Sequence, residues 1–134
     1  SIDFFEAVNA VLKNTPFELA FRALNELLLA VISEQPTDAG HLHAVWDDFL
    51  MCKVLPRIEG DVDKLGSGND SLLAKLNEAL GQQLVSCWAD GAMRPDLFRE
   101  QKDGSLLQVS CRSKAKLQWM QKRLDTAGFT SFWP

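Results

Sequence analysis

No apolar run in the sequence approaches the roughly 18 to 20 residues that span a bilayer, because Glu18, Arg22, Glu26 and Glu34 interrupt the most hydrophobic stretch. A membrane span is therefore not expected. Cysteine is scarce: Cys52, Cys87 and Cys111 are odd in number, widely spaced and outside any CxxC or Cys/His ligand pattern, which reads as reduced thiols in a cytoplasmic protein. Histidine is scarcer still. His41 and His43 lie two apart at the start of an apolar segment, and an i, i+2 pair on a helix points to different sides, so an exposed polar role is expected for both rather than a shared metal. A Gly-rich phosphate loop, a GxSxG elbow, an HExxH helix, an internal repeat and a low-complexity segment are all missing, which removes the commonest catalytic motifs. There is also no initiator Met and no basic, apolar leader. Ser1-Ile2-Asp3-Phe4 reads as a cut made inside a longer protein.

What is present fits one helical domain over residues 1–134. The chain has 134 residues, 46% of them hydrophobic, and a chain of this size buries roughly two-thirds of its unfolded surface, enough for one real core. Lys and Arg number 14 against 18 Asp and Glu, a net charge of -4, which argues against general nucleic-acid binding. The charge is unevenly spread. Arg112, Lys114, Lys116, Lys122 and Arg123 fall within a stretch that holds no acid, leaving nine bases against eighteen acids elsewhere.

Apolar spacing predicts five helices. The first carries Phe4, Phe5, Val8, Val11 and Leu12, capped by Asp3 and ended by Asn14-Thr15-Pro16. The second follows Pro16 with a stripe of Phe17, Phe21, Leu24, Leu28 and Val31, running into the polar loop Gln35 to Gly40. Leu42, Val45, Trp46, Phe49, Leu50, Val54 and Leu55 make a third, stopped or kinked by Pro56. After a turn with Asp61 as an N-cap, Leu72, Leu73, Leu76, Ala79, Leu80 and Leu84 make a fourth. Residues 89–110 contain Gly91, Pro95 and Gly104, and Phe98 with Leu106-Leu107-Gln108-Val109 fits either a short β-hairpin or an irregular loop. The last helix begins near Arg112, presents Leu117, Met120 and Leu124 to the core and ends at Gly128, with the aromatic tail Phe129 to Trp133 packed back on the bundle.

Few residues suggest chemistry. Asp47-Asp48 are neighbours that should diverge onto a solvated face. Cys111 beside Arg112 at a helix start is placed for a lowered pKa, but no base, orienter or oxyanion donor is evident nearby. Met51 and Met120 read as core.

Five blocks carry a resemblance. Phe4-Phe5-Glu6-Ala7-Val8-Asn9, Phe17 to Glu26, and Val54-Leu55-Pro56-Arg57-Ile58-Glu59-Gly60-Asp61, followed by Cys111 to Met120 and Gly128-Phe129-Thr130-Ser131-Phe132, together resemble the C-terminal helical lid of McrB-like AAA+ NTPases. The blocks occur in the family's order and cover about half the chain. The resemblance implies a mainly α five-helix orthogonal bundle that closes over GTP or ATP with Mg²⁺ bound by a separate α/β core, so this segment carries no catalytic residue, metal site or cofactor of its own. It implies the chain's own core and neighbouring ring subunits as partners, with a nuclease partner and DNA reached through the parent protein, in restriction-modification or phage defence. Arg112 and Arg22 are the phosphate or interface candidates. Arg22 matches the family's arginine block, and a buried ion pair with Glu26 is an equal expectation there. Where related sequences carry an arginine-rich turn, this chain departs with Gly60-Asp61-Val62-Asp63-Lys64. A reading from another class is a freestanding helical adaptor whose basic surface, Lys114, Lys116, Lys122 and Arg123, binds an acidic protein or nucleic acid.

Overall fold

Phe4, Phe5, Val8 and Leu12 recur at helical spacing and all four are buried, which fixes the first helix, α1 (Ile2–Leu12), in the computed structural model of residues Ser1–Pro134. Asp3 does not cap it; Ser1 occupies the N-cap position. The stop is local. Thr15 donates both its hydroxyl and its N–H to the Leu12 carbonyl, and Asn14 takes a positive φ of 63°.

The second helix, α2 (Phe21–Glu34), starts four residues later than the apolar stripe predicts. Asn9 is the reason: its side chain accepts from Leu19 N at 2.8 Å and donates to Leu19 O at 3.4 Å, holding residues 17–20 outside the helix while Phe17 and Leu19 enter the core. Most of the expected stripe holds, since Phe17 is buried and Leu24 and Val31 pack against the core, but Phe21 does not join them. Leu27 is the one fully buried residue of α2, and Phe21 stands 75% exposed.

Asp38 caps α3 (Ala39–Phe49) by accepting from His41 N at 2.9 Å. The helix then loosens into a π-helical turn, Leu50–Val54, and tightens into a 3₁₀ turn, Leu55–Arg57, that contains Pro56. A short strand, β1 (Glu59–Asp61), leads into the single turn α4 (Val62–Leu65), with Asp61 accepting from Lys64 N as its cap. Ser71 caps α5 (Leu72–Gln83) through Ala74 N, and α6 (Val85–Trp88) follows after Leu84. Between α6 and α7 (Arg112–Ala127) the chain forms a hairpin of β2 (Phe98–Glu100) and β3 (Leu106–Gln108), so of the two readings of residues 89–110 the hairpin holds. Gly128, at φ 75°, closes α7, and β4 (Phe129–Ser131) runs antiparallel to β1 with Gly60 opposite Thr130.

The architecture is mainly helical, with five long helices, two single-turn ones and two small antiparallel sheets. Helix α5 packs against both α1 and α7, while α3 packs on α2, α6 and α7. Their inward faces form one apolar cluster that includes Leu12, Leu50, Leu55, Ile58, Leu76, Leu80 and Met120, with Phe4 stacked on Trp46 at 4.5 Å. The tail packs only in part. Thr130 and Ser131 are buried and Phe132 lies against the core, but Phe129 and Trp133 remain exposed. No helix is long and apolar enough to cross a membrane.

Candidate functional site

The hairpin stem places the most unusual side chain. Arg94 N donates to Val109 O and Val109 N to Leu97 O, and this short ladder turns Arg94 inward until its side chain is 1% exposed. There it meets three carboxylates. Its Nη1 lies 3.0 Å from Asp47 Oδ2 and also bonds Asp48 Oδ1, its Nη2 bonds Asp96 Oδ2 at 2.6 Å, and its Nε bonds Asp96 Oδ1 at 3.0 Å. Burial works against the guanidinium charge, but the carboxylates of Asp96, Asp48 and Asp47 outweigh it and hold the arginine charged at every accessible pH.

Asp47 does a second job at the same place. Its Oδ1 accepts from Ser113 N at 2.7 Å, from the Ser113 hydroxyl and from the Cys111 thiol at 3.0 Å, while Oδ2 accepts from Arg112 N at 3.0 Å. Helix α7 thus has its first N–H groups capped by a side chain from α3, about 65 residues earlier in the chain. Burial alone would raise this carboxyl's pKa; the Ser113, Cys111 and backbone donors overcome it, and Asp47 sits below the usual carboxylate range. The expectation of a solvated Asp47-Asp48 pair is overturned. Both reach Arg94 because that residue arrives from the hairpin side and spans the gap between them.

Cys111 also departs from expectation. Its thiol is pushed up, not down, by its hydrogen bond with Cys87, by burial and by the Asp47 carboxylate beside it, so it is a poor nucleophile. Cys87 is buried as well, and Cys52 is exposed. His43 is buried rather than solvated: Nδ1 bonds the Ser86 hydroxyl and its ring lies 4.9 Å from Trp46, and burial lowers its pKa. His41 stays half-exposed, paired with Asp38. Histidine, cysteine and carboxylate side chains nowhere gather in threes in a way that could hold a metal ion.

The predicted arginines and lysines fall in different places. Arg22 is 91% exposed and 3.7 Å from Glu26, so a pair forms there but not a buried one; Lys53 reaches the same Glu26 at 3.3 Å. Arg112 is half exposed, with Nη1 3.7 Å from Asp48. Lys114 turns back onto Trp88 O and Asp90, and Lys122 lies on another side of α7, lining a groove with Gln118 and Asp125. Lys116 and Arg123 share one face. Lys116 donates to Phe132 O at 3.1 Å and Arg123 to Trp133 O at 2.8 Å, and both cations lie over the Trp119 ring, at 4.5 and 5.3 Å. The four predicted basic residues therefore do not form one surface.

Sequence reasoning missed Arg94 altogether and took Asp47 for half of a solvated pair. The available signal was the composition of Arg94-Pro95-Asp96: a lone arginine next to a proline in a Gly-containing connection, with an Asp two residues on. A hollow with an apolar floor was missed too, a cavity of about 370 Å³ between α2 and α3, floored by Ala44, Val45 and Phe49 and edged by Glu26, Glu34, Asp48, Asp96 and Lys53.

No curated protein and no solved structure matches the chain. One family model does, over residues 1–129, nearly the whole length. The chain with this buried arginine node and capped last helix thus belongs to the family described as Domain of unknown function (DUF8727).

Proposed function

We propose that this domain is the helical lid of a McrB-like AAA+ NTPase, closing over a nucleotide held by an α/β core and passing the open or closed state to a neighbouring ring subunit. The observation that carries the reading is the outer face of α2. Phe21, Leu29 and Ile32 are 75%, 65% and 68% exposed and fall on one side of the helix, opposite Leu27. An apolar stripe of this kind calls for cover by another protein surface, and a lid packs one helix face on its core. The resemblance supplies what that surface is. Two of its blocks, Val54 to Asp61 and Gly128 to Phe132, are also neighbours in space, since β1 pairs with β4.

In this role the domain moves as a rigid body and does not itself make or break bonds. The N–H groups at the start of α7 are already taken by Asp47, so that helix end offers no backbone cradle to a phosphate. Any phosphate contact at this end comes from the half-exposed Arg112 guanidinium alone. Arg22, on the solvated side of α2 next to the apolar stripe, suits an interface contact instead. GTP or ATP with Mg²⁺ would be bound by the core, and a nuclease and DNA would be met through the assembled ring.

The test begins with the gene read in frame upstream of the Ser1 codon. A GxxxxGK[ST] loop and an acidic strand end within a few hundred codons are expected; a start codon immediately before Ser1 and no NTPase core would sink the reading. Given a core, Ile32→Asp is expected to release this domain from it in a co-purification while the far-ultraviolet circular dichroism spectrum is unchanged.

A further inference from the structure

Arg112, Lys116, Trp119 and Arg123 stand at i, i+4, i+7 and i+11 along α7, one stripe about 16 Å long at 1.5 Å per residue. Beside its N-terminal half runs an open groove of about 340 Å³, lined by Met51, Val109, Arg112, Ala115, Lys116 and Trp119 and by no carboxylate. That is unusual in a chain with more acids than bases. The rings and cations alternate in layers: Arg123 over Trp119 at 5.3 Å, Lys116 over Trp119 and over Phe132 at 4.5 Å each, and Phe132 edge-on to Trp133 at 4.8 Å. Trp119 and Trp133 are both exposed.

We propose that this face of α7 binds single-stranded nucleic acid, with bases stacking on the exposed Trp133 indole and entering the apolar groove edged by Trp119, and phosphates meeting Arg112, Lys116 and Arg123. Cations and planar rings in alternation are the two things a single strand offers partners for, since its bases expose their faces and its backbone is anionic. An acidic peptide would use the cations and leave the rings idle. A duplex hides the faces of its bases inside the stack. Lys116 gives one hydrogen bond to a tail carbonyl and Arg123 gives one to a tail carbonyl and one to the Ser131 hydroxyl, which uses one of three donors in the lysine and two of five in the arginine and leaves the rest for phosphate. The tail contacts also hold both side chains in place before any ligand arrives. This inference does not depend on the lid reading.

The net charge of -4 opposes binding at long range, so the affinity is modest and salt-sensitive. Three phosphate contacts on a single strand give a slope of about -2 in log K against log salt. The experiment is fluorescence anisotropy of a labelled oligo-dT of about 15 nucleotides titrated with the 134-residue chain at low salt. Saturable binding with that slope is expected, with quenching of tryptophan fluorescence. Trp119→Ala and Arg112→Gln should each weaken it about fivefold or more, with unchanged melting curves, whereas Lys122→Gln on another side of the helix should leave it as it is. If Trp119→Ala fails to fold, Arg112→Gln and the quenching of the unaltered chain decide. Absence of binding overturns the proposal. So does equal binding of a duplex of the same length or of polyglutamate, which would mean charge attraction without stacking.

Discussion

At the scale of single residues, the node around Arg94 decides how the last third of the chain is attached. Removing one partner of a buried ion pair strands the other charge, at about 3 to 5 kcal/mol. Arg94→Met is therefore expected to lower the unfolding free energy by about 3 kcal/mol in a urea titration, while Arg112→Met, whose guanidinium is half exposed, changes it by less than about 1 kcal/mol. Stability should also fall on the acid side for two reasons. Asp47 is depressed in the folded state, so its contribution is present above the unfolded value near 4 and lost as pH drops through the folded one. His43 is lowered by burial, so the unfolded chain takes up a proton near pH 6.5 that the folded chain refuses, and stability declines as pH falls below that point. Melting temperatures measured from pH 7.5 to 5.5 should drift down, and His43→Gln should flatten that part of the curve. None of this was legible from the local sequence. Asp47 reads as one of an ordinary adjacent pair until a hairpin brings Arg94 against it, and a contact about 47 residues apart leaves no trace in periodicity.

At the scale of elements, periodicity spoke for itself where one face was buried and misled where it was not. Helix α5 begins at Leu72, where its apolar spacing puts it, and α7 begins at Arg112 and ends before Gly128 as expected. Helix α2 does not begin where its spacing puts it, because Asn9 holds residues 17–20 out of it, and its exposed Phe21, Leu29 and Ile32 belong to an apolar pattern that does not say which of its residues this chain covers. The hairpin was ambiguous for a different reason: all six residues of β2 and β3 are exposed, so no alternation with a buried face exists to be read. Gly128 allows a clean measurement. Its φ is 75° and nothing lies within 4 Å of where a Cβ would stand, so Gly128→Ala acts through backbone strain alone and should cost about 1 kcal/mol in chemical denaturation.

At the scale of the whole molecule, stability is graded. Helix α5 lies between α1 and α7 with Leu73, Leu76 and Leu80 buried, whereas β2 and β3 have only each other. Native-state hydrogen exchange should find the amides of Phe98 to Glu100 and Leu106 to Gln108 opening first and those of α5 last; protection of the hairpin equal to that of α5 would mean that its stem is held far more firmly than by Arg94 alone. The antiparallel pairing of β1 with β4 joins residues 59–61 to residues 129–131. A ribosome delivers these two strands about 70 codons apart, so β1 must wait, half-paired with water, while four further helices are synthesised. The fold can be completed only once Phe129–Ser131 have emerged from the ribosome.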